Sequence, residues 1–170
     1  MFCPNCGKKI EEGSNFCANC GFRFVSEGKI SAQEIVRDIV TRRIEGIKNL
    51  NAKAIESLVY KEKYTKFDDW PPFELQDSEG LKNEAGALKV LKGYEYETRG
   101  WNIEVFGDSA IAAFTIRYQG IIRDLSFKVQ SRVTSFLVKH EGEWKIVHEH
   151  WSRFPVEMRD KEKGAGSSSA

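Results

Sequence analysis

Apolar residues recur along this chain with two different periods, and the change of period divides it. From Ser31 onward, Ile35, Val36, Ile39, Val40, Ile44, Ile47 and Leu50 stand three or four apart, with Arg37, Asp38, Arg42, Arg43 and Lys48 elsewhere. That spacing predicts an amphipathic helix buried along one face. Ser31-Ala-Gln-Glu34 opens it as a capping box, the serine accepting from the N3 amide and the glutamate reaching back. Asn51 caps a second, shorter helix whose stripe is Ala54, Ile55, Leu58 and Val59. Tyr60, Tyr64, Phe67, Trp70 and Phe73 then crowd a segment whose Pro71-Pro72 pair excludes regular structure. It predicts a loop folded over an apolar face. Helical spacing returns at Leu81, Ala85, Leu88 and Leu91, giving a third helix that stops around Gly93.

From Tyr94 the period falls to two. Trp101, Ile103 and Val105 lead to a turn at Gly107-Asp108, and Ala110, Ala112, Phe114, Ile116 and Tyr118 share one face of the next strand. Leu125, Phe127, Val129, Val133 and Leu137 continue the alternation. After the turn Glu141-Gly142-Glu143, the last strand places Trp144, Ile146, His148 and His150 on one face, with Glu149 on the other, as Glu104 is on its own strand. Runs this long exceed the usual five or so residues, so a bend or bulge is expected, near Ser131. Three helices followed by a meander of long antiparallel strands is an α+β layout. A curved sheet wrapped against helices makes a cone whose mouth is a natural pocket.

Composition adds exclusions. Across 170 residues, 41% hydrophobic and 30% charged content suits a soluble globular protein, and no apolar run could span a bilayer. The amino terminus carries no basic-then-apolar signal region, so the cytoplasm is the default expectation. A net charge of +1 disfavours a strong grip on nucleic acid. Residues 1–24 form one unit, 25–30 a linker and 31–155 the main domain, before a charged, then Gly/Ser-rich tail over 156–170, expected to be disordered.

The first unit holds every cysteine. Cys3, Cys6, Cys17 and Cys20 form two Cys-x-x-Cys-Gly units with ten residues between them. Each pair can present two thiolates from one tight turn, which fits a closed tetrahedral metal site. Iron in a rubredoxin-like site and a redox dithiol pair are the competing readings. Four thiolates leave no place for a catalytic water, and so short a segment needs metal in order to fold. The expected cofactor is one structural zinc ion per chain. These residues, with Gly7 and Gly21, resemble the short zinc-ribbon modules at the amino terminus of many bacterial and archaeal proteins, which implies a protein-interaction role.

The main domain also carries a resemblance. Gly142-Glu-Trp144-Lys-Ile-Val-His148-Glu-His150-Trp-Ser152, with Gly107-Asp108-Ser-Ala-Ile-Ala, is similar to SnoaL-like domains of the nuclear transport factor 2-like superfamily. The resemblance implies a cystatin-like cone, with dimerisation through the open sheet face. The superfamily includes cyclases, isomerases, a kinase association domain and many members of unknown function. An isomerase or cyclase mechanism would need an inward carboxylate base and oxyanion donors. The faces assigned inward offer Tyr118, His148 and His150 but no aspartate; Asp68 and Asp69 lie in the aromatic loop. His148 and His150 could be an acid/base pair, two metal ligands, or hydrogen-bonded histidines in the cone or at an interface.

The catalytic candidates are therefore Tyr118, His148, His150 and Asp68, and the expected pocket is Tyr64, Trp70, Phe114, Tyr118, His148 and His150. The leading expectation is a non-enzymatic binding or assembly module. Its cone forms a homodimer and accepts at most a small hydrophobic ligand, while its zinc ribbon recruits a protein partner. The alternative is an enzyme performing acid–base chemistry on a small hydrophobic carbonyl compound.

Overall fold

A computed structural model describes residues 6, 8–9, 19–20 and 30–155. The expectations for Cys3, Cys17, most of the linker and the tail lie outside those residues.

Helix α1, Ala32–Lys48, begins as expected: Ser31 Oγ accepts from the Glu34 amide at 3.2 Å and Glu34 Oε2 accepts from the Ser31 amide at 2.7 Å. Its buried face is Val36, Ile39, Val40, Arg43 and Ile44. Arg43 is the correction here. The pattern sets it among the polar positions, yet it follows Ile39 and Val40 by four and three positions, which places it on the same face. Ile35 and Leu50 end up exposed. Helix α2, Ala52–Ser57, is capped by Asn51 Oδ1 on the Ala54 amide at 3.0 Å. It packs tightly on α1, where a Cβ at Gly46 would meet Ile55 Cγ1 at 2.6 Å.

The aromatic segment is more ordered than its prolines suggest. It contains β1, Thr65–Phe67, and β2, Leu75–Gln76, two short strands that add to the edge of the main sheet. Helix α3, Gly80–Leu88, ends earlier than expected, because Leu91 already pairs with Ile122 and begins β3, Leu91–Phe106. Strands β4 (Ser109–Ile122), β5 (Leu125–His140) and β6 (Glu143–Arg153) complete the meander. The sheet order is β2-β1-β6-β5-β4-β3, antiparallel except where β1 runs parallel to β6. The Glu141-Gly142 turn takes positive φ at both residues, the geometry a two-residue hairpin turn requires.

The helices cover one face of this curved α+β sheet, and the core lies between: Val36, Val40, Ile44, Ile55, Phe114, Ile116, Val133, Leu137, Ile146 and their neighbours. Among the described residues no helix is long and apolar enough to cross a membrane.

The expected bulge exists at another place. Leu137 pairs with Ile146 and Phe136 with His148, so Val147 is an extra residue in β6. One extra residue reverses which side chains face inward. Trp144 and Ile146 are buried before it, Glu149 and Trp151 after it. His148 and His150 therefore leave the inner face, and Glu149, assigned outward by simple alternation, enters it. Further shifts in β3, between Lys92 and Glu95 and between Arg99 and Asn102, accommodate its length.

Candidate functional site

Two polar constellations occupy the interior, and the sequence pattern exposes neither. The first is anchored on Arg43. Its Nη1 and Nη2 donate to Glu84 Oε1 and Oε2 at 2.8 and 2.7 Å, and its Nε donates to Glu149 Oε2 at 3.1 Å. Glu149 Oε2 also accepts from the Tyr64 hydroxyl at 2.6 Å, and its Oε1 from Trp151 Nε1 at 3.3 Å. Lys66 on β1 adds its ammonium, 2.7 Å from Asp68 Oδ2 and 3.7 Å from Glu84 Oε2. Every ion here has at least one opposite charge in contact, the condition for tolerating buried charge.

The electrostatics follow. Burial alone would raise the Glu84 carboxyl, but Arg43 and then Lys66 overcome it and hold the pKa at about 2. Burial disfavours the Lys66 and Arg43 cations, yet the facing carboxylates keep both charged. Burial, reinforced by Glu149, pushes the Tyr64 hydroxyl upward, so it remains a donor.

The second constellation is anchored on Asp69. The loop after β1 turns this residue inward until it is only 4% exposed. Its Oδ2 accepts from the Tyr118 hydroxyl at 2.7 Å and from the Ser131 hydroxyl. Trp70 Nε1 donates in turn to the Tyr118 oxygen at 2.9 Å. Asp69 Oδ1 is buried without a partner among the described residues. Burial and then Asp69 push the Tyr118 and Tyr94 hydroxyls well above their usual range.

Between the two constellations lies a cavity of about 250 Å³. Asp68, Asp69, Trp70 and Pro71 line it from the loop, Asn83, Glu84, Ala87 and Leu88 from α3, and Tyr94, Tyr118, Phe127 and Trp151 from the sheet. Burial raises the Asp68 carboxyl above its ordinary value; Lys66 draws it back, while Glu84 and Asp69 add to the rise.

The candidate residues from the sequence separate cleanly. Tyr118, Trp70 and Asp68 line the cavity. Tyr64 is buried behind it on Glu149, and Phe114 stacks against Trp101 with ring centroids 4.1 Å apart. His148 and His150 stand on the outer face beside Phe67, and His148 Nδ1 shares a 2.8 Å hydrogen bond with Thr65 Oγ1. Burial, then His150, lowers the His148 pKa. The residues missed are Arg43, Lys66, Glu84, Glu149, Ser131 and the inward role of Asp69. Arg43 alone had a legible signal, its position on the apolar stripe.

Of the four cysteines, Cys6 and Cys20 fall among the described residues. Asn19, beside Cys20 in the second Cys-x-x-Cys unit, donates Nδ2 to Cys6 Sγ of the first at 3.6 Å. A side-chain N–H on a sulfur of the opposite unit is the kind of outer contact that supports a thiolate ligand. The donor set fits zinc: Cys3, Cys6, Cys17 and Cys20 would hold it, and it would supply folding energy rather than chemistry. Among the described residues no cluster of three or more His, Cys, Asp or Glu has metal-site geometry.

A helix-backed cone around a mainly apolar cavity with a few buried polar groups defines the class, a nuclear transport factor 2-like fold. Residues 36–157 match the SnoaL-like domain family, and the chain belongs to it. Residues 2–24 match the family described as zinc-ribbon domain. No curated protein matches the chain. Solved structures that share the fold include a nuclear transport factor 2-like protein of unknown function from Pseudomonas putida KT2440, at 21% identity and TM-score 0.64, covering 75% of this chain and 89% of that one. A candidate dehydratase from Streptomyces avermitilis has 15% identity and TM-score 0.65, with 73% and 96% coverage. A candidate ketosteroid isomerase from Shewanella frigidimarina has 21% identity and TM-score 0.57, with 72% and 95% coverage.

Proposed function

We propose that this protein is a ligand-binding module with a recruiting appendage. The SnoaL-like domain receives a small, largely apolar molecule in its cavity, and the zinc ribbon delivers the domain to a protein partner. The observation that carries the reading is the cavity itself, walled by Trp70, Tyr94, Tyr118, Phe127 and Trp151 with the unpartnered Asp69 Oδ1 among its lining residues. About 150 Å³ suffices for a benzene-sized guest, so this volume suits a one-ring or compact two-ring compound.

The test is ligand-observed NMR on the full zinc-loaded chain with one-ring compounds, repeated on Ala87→Trp. Ala87 is an exposed lining residue, so an indole there plugs the mouth without disturbing the core. Binding to the wild type that is lost in the variant supports the reading. Binding unchanged by the plug, or none at all, overturns it.

Dimerisation belongs to the same proposal. Ile111, Ile121 and Phe67 are exposed on the sheet, and the first two alternate with inward residues of β4, which puts them on the face the helices leave bare. Light scattering after size exclusion should give twice the chain mass, and the monomer mass for Ile111→Lys.

A second reading, acid–base catalysis, has one observation in its favour: Asp68, whose pKa burial raises, adjoins Asp69 in the cavity. In that reading Asp68 would be the proton-transferring carboxyl, with Asp69 beside it in the cavity. Deuterium exchange at the α-carbon of cyclohexanone, accelerated by the wild type and not by Asp68→Asn, is the result it requires.

A further inference from the structure

We infer that the cavity selects a small organic cation, a protonated or quaternary amine carried on an apolar or aromatic body. The inference rests on the cavity being a ligand site, as proposed above, and adds the chemistry of the guest.

It begins with the charges. Two cations, Arg43 and Lys66, face four carboxylates, those of Asp68, Asp69, Glu84 and Glu149. Both cations are committed. Arg43 commits one N–H of each Nη to Glu84 and its Nε–H to Glu149. Lys66 is held by Asp68 at 2.7 Å and leans on Glu84 at 3.7 Å. Among the described residues Asp69 has no cation in contact. Its Oδ2 is met by neutral hydroxyls from Tyr118 and Ser131, and its Oδ1 has no donor among the described residues. Arg153 is exposed and lies over the Trp70 ring at 4.7 Å, outside the lining.

A buried carboxylate with an empty oxygen is a costly feature unless a donor arrives, and a charged donor returns the most. The remaining walls suit the rest of such a guest. Trp70, Tyr94, Tyr118, Phe127 and Trp151 supply aromatic rings, which attract a cation through their faces and an apolar body through burial. An anionic guest would meet the uncompensated Asp69 carboxylate, and a neutral acceptor would find no free donor in Tyr118, whose proton is given to Asp69.

The experiment uses the full zinc-loaded chain and three probes of one size: benzylamine, benzyl alcohol and benzoate, titrated at pH 7 and followed by the indole N–H resonances of Trp70 and Trp151. Benzylammonium is expected to bind about tenfold more tightly than benzyl alcohol, the worth of one charge-assisted contact, with benzoate weakest. Asp69→Asn should remove that advantage, leaving benzylammonium no tighter than benzyl alcohol. Near-UV circular dichroism verifies the variant's fold, and the ranking in the wild type stands without it. Benzyl alcohol or benzoate binding as well as the amine would overturn the cation preference and leave the cavity reading intact. No binding by any of the three would overturn both.

Discussion

Arg43 Nε and Glu149 Oε2 meet at 3.1 Å inside the domain, though 106 positions separate them in the chain. The contact ties the middle of α1 to the last strand. Among the described residues, removing the arginine leaves the buried Glu149 without a cation and Glu84 with only Lys66 at 3.7 Å, so Arg43→Met is expected to destabilise the domain by about 3–5 kcal/mol. Urea denaturation followed by tryptophan fluorescence measures it. Adding Glu84→Gln and Glu149→Gln to the same chain should recover part of the loss, since the repelling charges go too. A variant with all three changes that is less stable than Arg43→Met would show that charge pairing is not the cause.

Glu84 gives that network a pH signature. Its pKa falls from 4.5 in the unfolded chain to about 2 in the fold. A carboxyl depressed on folding adds stability above its unfolded value and loses it as pH falls through its folded one. The shift corresponds to about 3 kcal/mol. The stability gap between wild type and Glu84→Gln should therefore be full above pH 4.5 and shrink toward pH 2. Asp68 acts in the opposite sense: its raised pKa favours the fold at low pH and costs stability as pH rises through the folded value. Asp68→Asn should thus stabilise the protein at neutral pH relative to acid. Parallel denaturation series at several pH values check both signs.

Close packing between α1 and α2 is testable at one atom. A Cβ on Gly46 would stand 2.6 Å from Ile55 Cγ1, within a helix that an alanine would otherwise favour. The clash should win, and Gly46→Ala is expected to cost about 1–3 kcal/mol. A melting temperature equal to or above the wild type would show that Ile55 moves aside freely.

The zinc expectation has a convenient reporter. All four tryptophans lie between Trp70 and Trp151, so their fluorescence follows the SnoaL-like domain alone. Elemental analysis should find one zinc per chain, lost in Cys6→Ser and in Cys20→Ser. The tryptophan-detected melt should move by no more than about 2 °C. A large shift would mean that the ribbon contributes to the folding of the cone.

Much of the architecture was legible because long elements repeat a period. Ser31 and Glu34 announced α1, and the alternation from Ala110 to Tyr118 announced β4. What stayed hidden was set by pairing partners far away in the chain. The strands β1 and β2 are too short to carry a period of their own, and their pairing with β6 and with each other is what makes them strands. Asp69 looked like a loop residue because its burial comes from the turn of a loop, which no periodicity records. Glu149 was assigned to the wrong face because the alternation was continued through Val147.

That extra residue in β6 works like a reading-frame shift. Before Val147 the inward set is Trp144 and Ile146; after it the set is Glu149 and Trp151 rather than His148 and His150. Were Val147 drawn into regular pairing with Phe136, every later residue would shift by one and the two sets would exchange, offering imidazoles to Arg43 in place of its carboxylate. The interior chemistry of this cone is thus controlled by strand register as well as by side-chain identity. A bulge formed or flattened in a strand can change what such a domain recognises while its outline persists.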